Sequence, residues 1–247
     1  MKLTQQEKAA HQAAFQAMSP QKKLDHVFTY YKWPILLGLL ALVVLGSVLH
    51  RQLTKKEPVL YLAFANVAVG EDLENDLTDG FLRFLGTDAK KREVYLYRDL
   101  YLSDNADTLN HEYAYASRMK LMGAVSAGKL DVALMNREAY DLLSRSGYLS
   151  ELSRTFFAGD PALYAQILPI LSSNEVVLSD NSIEYQLGEA ETHKVETETV
   201  QNALDVSCLP LFSRAGFPEA VYLGVIANSG RLFACQQFMA YAADSQK

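Results

Sequence analysis

An uninterrupted apolar run from Pro34 to Leu49 constrains this chain more than any other feature of its 247 residues. As a helix rising about 1.5 Å per residue, the run would reach about 24 Å, which is short for a bilayer core. Its flanks extend it, because aromatic side chains precede it and basic ones follow it, as at the two interfaces of a membrane-spanning helix. These flanking residues are Tyr30, Tyr31 and Trp33, and then His50, Arg51, Lys55 and Lys56. We therefore predict a transmembrane anchor over residues 30–50 and a linker over 51–57.

Two other interpretations of the run are less compatible with its surroundings. A cleaved signal peptide would have a short basic start and a small-residue cleavage site close behind it, and neither is present. A buried helix of a soluble domain remains an alternative, but such a helix is rarely apolar all the way round.

Charge predicts the orientation of the anchor. Residues 1–56 carry eight Lys and Arg against two acidic residues, whereas the remainder carries 15 basic against 27 acidic residues. Because cytoplasmic segments near a span are enriched in Lys and Arg, we predict a cytoplasmic basic tail with an amphipathic helix over residues 1–29. The domain at 58–247 is then extracytoplasmic. Its acidity argues against nucleic acid as a partner, since phosphates favour Lys and Arg.

The domain alternates between apolar strand patterns and amphipathic helix patterns. The first predicted elements are strands at 58–69, 92–102 and 130–136, each followed by a helix, at 71–86, 109–127 and 137–147. The later ones are a short helix at 160–171, a surface hairpin at 175–200, strands at 203–210 and 217–229, and a helix at 231–243. The βαβαβα order predicts an α/β fold with a mainly parallel sheet and helices on its faces.

The two cysteines leave two alternatives open. An extracytoplasmic domain permits a disulfide between Cys208 and Cys235. Both cysteines also lie in apolar patterns, where each could instead be a small buried hydrophobe.

Motifs of catalysis and metal binding are incomplete. The sequence HEYAY at 111–115 begins like HExxH, but tyrosine replaces the second histidine and a zinc ligand is lost. Ser117 to Lys120 matches SxxK and Ser179 to Asn181 matches SDN, as in serine acyl-transferases of the β-lactamase kind, but the KTG element is missing. We therefore expect neither an enzyme nor a bound metal or cofactor, with the acyl-transferase as a remote alternative.

Three stretches carry a family resemblance. "LMGAVSAGKLDVALMNREAYDLLSRSGYLSELS" (121–153) resembles the part of extracytoplasmic solute-binding proteins, of the type II periplasmic-binding-protein fold, where a helix ends in "aG" and a strand reads "DV". "EAVYLGVIANSGRLFACQQFMAYA" (219–242) is similar to their late strand and final helix. "YYKWP" (30–34) resembles the membrane junction of single-pass proteins of Gram-positive bacteria that carry a reduced domain of this kind.

The resemblance implies a shortened domain of two α/β lobes with a ligand in the cleft at the strand ends. It places that ligand near Asn66, Val67, Asn136 and Arg137, and the rule for open sheets favours the same ends. Asn136 could alternatively cap the helix that follows it.

Two functions are equally compatible with the sequence. One is a membrane-anchored receptor or sensor for an unknown small molecule. The other is an accessory subunit of a membrane complex, whose degenerate cleft binds a protein.

Overall fold

The computed structural model describes residues 33–34, 36–47, 55–104, 110–153, 156–157, 159–189 and 191–244. Contacts divide the chain into two units, Met1–Lys55 and Lys56–Lys247. The second unit contains all the named strands of the described chain.

In the first unit, residues 33–34 and 36–47 are helical. The large apolar side chains of this segment are exposed, from Val44 at 53% to Leu42 at 69%. Among the described residues, no helix is both long and apolar enough to cross a membrane. The whole predicted tail and parts of the predicted anchor and linker, including Tyr30, Tyr31 and Arg51, lie outside the described residues.

The second unit is an α/β domain with six strands. They are β1 (Glu57–Ala65), β2 (Arg92–Leu100), β3 (Val132–Met135), β4 (Leu171–Asp180), β5 (Val195–Asp205) and β6 (Tyr222–Val225). The helices are α1 (Glu71–Asn75), α2 (Phe81–Phe84), α3 (His111–Ser126), α4 (Arg137–Arg145), α5 (Pro161–Ile167), α6 (Ser182–Gln186), α7 (Pro210–Ser213) and α8 (Leu232–Asp244). A π-helical segment, Asp76–Gly80, joins α1 to α2, and a 3₁₀ turn, Leu168–Ile170, follows α5.

All six strands form one mixed sheet in the order β2-β1-β3-β6-β5-β4. β1 is parallel to β2 and to β3, whereas the β3–β6, β6–β5 and β5–β4 pairs are antiparallel. The predicted α/β class is therefore confirmed, but the predictions of a mainly parallel sheet and of two lobes are wrong for the described residues. Parallel pairing needs a long crossover connection, and β4 and β5 are instead neighbours joined as a hairpin.

Two apolar clusters cover the two faces of the sheet. On one face, Leu62, Phe64 and Leu134 pack with the helical segment 71–84 and with α8. On the other, Ala63, Ala65 and Ala133 pack with α3 and α4. The small side chains of this second face leave room for the fully buried ring of Tyr140.

The predicted hairpin at 175–200 is confirmed by β4 and β5, with the short helix α6 between the strands. The strand predicted at 203–210 is wrong. Residues 203–205 are the end of β5, and Asp205 Oδ1 then accepts hydrogen bonds from the backbone N–H and the hydroxyl of Ser207, at 3.0 Å and 2.6 Å. This local turn ends the strand before Pro210, where α7 begins.

Candidate binding site

The carboxyl ends of β1 and β3 lie side by side in the sheet. β1 lies between β2 on one side and β3 on the other. The chain therefore runs from β1 to one neighbour, β2, and then crosses to the opposite side of β1 to form β3, so a topological switch point lies between β1 and β3. The register pairs Ala65 with Met135, and Asn136 N–H donates to the Ala65 carbonyl oxygen at 3.3 Å. Open α/β sheets bind ligands outside the carboxyl ends of strands at such a point. The structure thus brings the loops of the four predicted site residues to one edge.

Asn66 occupies a left-handed backbone conformation, with φ of 57°. Asparagine tolerates this region better than most residues, and the contacts of the side chain fix it there. Its Oδ1 accepts from Leu102 N–H at 2.6 Å, and its Nδ2 donates to the Leu102 carbonyl oxygen at 2.7 Å. Asn66 therefore ties the loop after β1 to the segment after β2. Val67 is partly buried against the core cluster of the first face.

Asn136 is confirmed as the N-cap of α4, since its side-chain oxygen accepts from Ala139 N–H at 3.0 Å. Its Nδ2 donates to Glu219 Oε1 at 2.9 Å. A second carboxylate, Glu138 Oε2, lies 3.5 Å from Asn66 Nδ2. The sequence reasoning missed both glutamates, although each lies within three residues of a predicted strand or helix boundary.

Arg137 projects over two stacked tyrosine rings. Its Cζ lies 5.6 Å from the ring centroid of Tyr140 and 5.9 Å from that of Tyr222, and the two rings are 4.7 Å apart. Hydrogen bonds to Tyr222 and then to Asp141 raise the pKa of Arg137. Its Nε is 2.9 Å from Asp141 Oδ1, and its side chain is 53% exposed. The guanidinium is therefore oriented by its own neighbours while one side remains open to solvent.

Beneath Arg137, a buried polar network joins α4 to the base of the β4–β5 hairpin. The Tyr140 hydroxyl lies 2.8 Å from Asn202 Oδ1 and 3.1 Å from the Ser172 carbonyl oxygen. Asn202 Nδ2 donates to Ser144 Oγ at 2.7 Å, and that hydroxyl donates to the Glu175 carbonyl oxygen at 2.8 Å. Burial raises the pKa of Tyr140 to about 12. The network stays uncharged at neutral pH and holds the hairpin base against the helix.

These contacts decide what the sheet edge can do. The side-chain amides of Asn66 and Asn136 are each hydrogen-bonded through both oxygen and nitrogen within the chain. A solute would therefore meet amides whose oxygen and nitrogen are oriented by bonds within the chain, with only their remaining N–H donors and lone pairs to offer. Of the predicted site residues, Asn66 and Asn136 are therefore hydrogen-bonded within the chain, and Arg137 presents an exposed positive charge.

A separate cavity of about 280 Å³ lies between α3 and α4. Its lining includes Leu121, Met122 and Leu143, together with Arg118 and Arg145. Residue periodicity does not predict this cavity, because its wall depends on how the consecutive helices α3 and α4 are placed relative to each other in the fold. Its volume lies just below the usual range for small-molecule sites, about 300–1,000 Å³.

A second buried polar group lies at the start of β3. Asp131 is fully buried and accepts from Tyr61 N–H at 2.9 Å and from Ser229 Oγ at 2.6 Å. Arg231 Nη1 approaches both carboxylate oxygens, at 3.3 Å and 3.4 Å, and donates to the Gly128 carbonyl oxygen at 3.1 Å. Asp131 and Arg231 together therefore connect β1, the segment after α3 and the segment before α8.

The thiols of Cys208 and Cys235 are both free, so the structure contains no disulfide between them. Cys208 is exposed, since it lies in the turn after β5 and not in the strand predicted there. Cys235 is fully buried in α8, and burial raises the pKa of its thiol to about 12. The alternative of a small buried hydrophobe therefore holds for Cys235 and fails for Cys208.

The residues of the incomplete catalytic motifs have structural contacts. Ser117 is buried within α3, and its Oγ accepts from Tyr101 N–H at 3.2 Å. Within the described ranges, no group of three or more His, Cys, Asp or Glu is placed to hold a metal ion.

The protein is thus an α/β domain with a single sheet. At the carboxyl ends of its central strands β1 and β3, the side chains of Asn66 and Asn136 are hydrogen-bonded within the chain. No family model, curated protein or solved structure matches the chain. The resemblance to solute-binding proteins therefore stays a prediction.

Proposed function

We propose that this chain is a non-catalytic, membrane-anchored accessory subunit whose extracytoplasmic domain binds another protein. The anchor is the segment 30–50, with the N-terminus in the cytoplasm, and the domain is a shortened relative of solute-binding proteins, as the resemblance of residues 121–153 and 219–242 implies. The apolar run and the excess of Lys and Arg before it support this placement.

One observation favours a protein over a small solute as the binding partner of this domain. The amides of Asn66 and Asn136, at the edge where a solute would bind, already use both their oxygen and their nitrogen in hydrogen bonds to Leu102, Ala139 and Glu219. A solute site needs convergent polar groups that are free to bind. A protein surface needs no such groups, because it gains affinity from area and shape.

Purification of the full-length chain from its native membranes in mild detergent tests this function. We expect a membrane protein to remain with it in a fixed ratio through affinity and size-exclusion steps. A chain that elutes alone, under conditions where other membrane complexes stay intact, contradicts the proposal.

The placement has its own test. Protease added to intact cells should digest the domain at 58–247 and leave the tail at 1–29 protected. Protection of the domain would refute an extracytoplasmic location.

The cavity between α3 and α4 favours a second candidate, a receptor for a small molecule. Arg145 would serve such a ligand best, because its guanidinium is exposed and lies 3.7 Å from Glu175 in a loose ion pair. A solute library should then contain an acidic, apolar compound that raises the melting temperature. Met122→Trp, which fills the cavity, should abolish the shift. Met119→Trp is the matched control, since Met119 is an exposed residue of the same helix outside the cavity lining.

A further inference from the structure

We infer that the tip of the β4–β5 hairpin is the surface that docks the partner, and that it binds a basic protein surface with an apolar centre. The hairpin tip is defined as residues 176–189 and 191–198. This inference rests on the proposed function and adds to it the site and the chemistry of the partner.

The hairpin tip begins where the support of α4 ends. The hydrogen bond from Ser144 and the ion pair from Arg145 join α4 to β4 at Glu175. Beyond this residue, the strand pairs from Val176 opposite Glu198 to Asp180 opposite Val195 extend the hairpin. Every described side chain from 178 to 180, 183 to 189 and 191 to 198 is exposed.

Large apolar side chains are concentrated on the hairpin tip. Ile183 and Leu187 lie four residues apart along α6 and its C-cap, so they share one face, and they are 70% and 68% exposed. Leu178 is 62% exposed and lies at a register shift between Val177 and Ser179. Such a bulge redirects a side chain out of the regular strand pattern. Exposed apolar side chains that are this frequent in one short segment indicate an interaction surface.

Polar contacts hold the hairpin tip in one conformation. Asn181 Oδ1 accepts from Lys194 N–H at 2.6 Å, and Asn181 Nδ2 donates to the Thr192 carbonyl oxygen at 2.9 Å. Asp180 accepts from Ser182 N–H at 2.9 Å, and Ser182 Oγ lies 2.9 Å from His193 Nε2. A pre-ordered surface loses less entropy on binding, and this favours recognition over a role as a simple connection.

The contacts among Ser182, His193 and Asp180 do not form a catalytic triad. Ser182 Oγ and Asp180 Oδ1 both approach the same ring nitrogen, His193 Nε2, at 2.9 Å and 3.3 Å. A triad needs the serine and the carboxylate on opposite ring nitrogens, so that the base can accept one proton while the carboxylate orients the other. The cluster therefore stabilises the turn.

The negative charge of the hairpin tip indicates which kind of partner it can bind. The hairpin tip carries six acidic residues and one lysine, all exposed: Asp180, Glu184, Glu189, Glu191, Glu196, Glu198 and Lys194. An anionic lipid surface or a nucleic acid would be repelled. A second copy of the same tip would oppose acid to acid. Complementary potential requires a partner surface rich in Lys or Arg around an apolar centre.

Photo-crosslinking in the native cells tests the inference on the full-length chain. We would place p-benzoylphenylalanine at Leu187, with Phe233 as the matched control, because Phe233 is 73% exposed and lies on α8. We expect Leu187 to crosslink to one protein whose crosslinked peptide and its structural surroundings are rich in Lys and Arg, and Phe233 not to crosslink to it. Crosslinks to lipid, to a second copy of this chain or to an acidic surface would overturn the inference, as would no crosslink above the Phe233 control.

Charge reversal provides the second measurement. The variant with Glu184→Lys, Glu196→Lys and Glu198→Lys should reduce the crosslink yield by about tenfold or more, because like charges across an interface are strongly unfavourable. The control with the same change in net charge is Glu57→Lys, Glu151→Lys and Asp244→Lys, all at exposed positions away from the hairpin tip.

The outcomes separate this inference from the proposed function. An unchanged yield in the hairpin variant refutes the docking surface. If the partner still co-purifies with that variant, the accessory function stands while the inference fails. If no partner co-purifies with the unaltered chain, the proposed function itself fails.

Discussion

Replacing Asp131 by leucine should cost this domain about 3 kcal/mol of folding free energy. Leucine branches at the same atom as aspartate but is larger and has no acceptor, so the buried N–H of Tyr61, now 2.9 Å from Asp131 Oδ2, would have no partner there. An unsatisfied buried donor costs about 1–3 kcal/mol. The Ser229 hydroxyl loses its acceptor too, although it can turn toward Cys235 Sγ at 3.5 Å. Loss of the Arg231 ion pair adds about 1 kcal/mol at most, because that side chain is 32% exposed and solvent screens it.

Urea unfolding of residues 56–247, followed by near-ultraviolet circular dichroism, measures the change. With a slope of about 2–3 kcal/mol per molar urea, the midpoint should fall by about 1 M. Asp104→Leu is the matched control, because Asp104 is 70% exposed and pairs with the exposed Arg118, so its loss should cost about 1 kcal/mol or less. A loss of less than about 1 kcal/mol in Asp131→Leu would refute the view that this carboxylate satisfies the buried groups around it.

Three further predictions concern single residues. In the folded domain, iodoacetamide should modify Cys208 but leave Cys235 unreacted until denaturant is added, since only Cys208 is exposed and burial raises the Cys235 pKa to about 12; equal rates would contradict this. Asn66→Ala should lower the stability by about 3 kcal/mol, through two lost hydrogen bonds and the strain of φ at 57°. Asn66→Gly should cost about 1 kcal/mol less, and equal losses in chemical denaturation would rule out backbone strain. Hydrogen bonds from the Ser182 side chain and backbone, and then from His193, lower the pKa of Asp180; its contribution to the turn is therefore present above the unfolded pKa and is lost as pH falls through the folded one. Ser182→Ala should raise that pKa toward its ordinary value in an NMR titration, and an unchanged pKa would show that the serine is not the cause.

Local sequence patterns predicted most of the elements of the domain. The apolar strand at β1, the helix after it and the final helix α8 follow directly from residue periodicity. The error at 203–210 was also local in origin. The Asp205 to Ser207 turn that ends β5 is a familiar signal, and the apolar residues around it concealed it.

The candidate site was predicted in position but not in chemistry. Asn66 and Asn136 follow parallel strands, and such residues meet at one edge of a sheet. Whether their amides are free is a separate matter, because it depends on Leu102 and Glu219, which lie 36 and 83 residues away along the chain. No periodicity within a strand or a helix reports a partner at that distance.

The α/β class, the hairpin and the edge that carries Asn66 and Asn136 could all be read from the order of residues, because each depends on local periodicity or on the topology of consecutive units. Three features are visible only in the folded domain. They are the antiparallel half of the sheet, the hydrogen bonds within the chain that engage the amides of Asn66 and Asn136, and the burial of Asp131. Asp131 bonds to residues 70 and 98 positions away. Contacts at such separations depend on which strands become neighbours in the sheet. That strand order is set by the free energy of the whole domain, and not by the free energy of any one element.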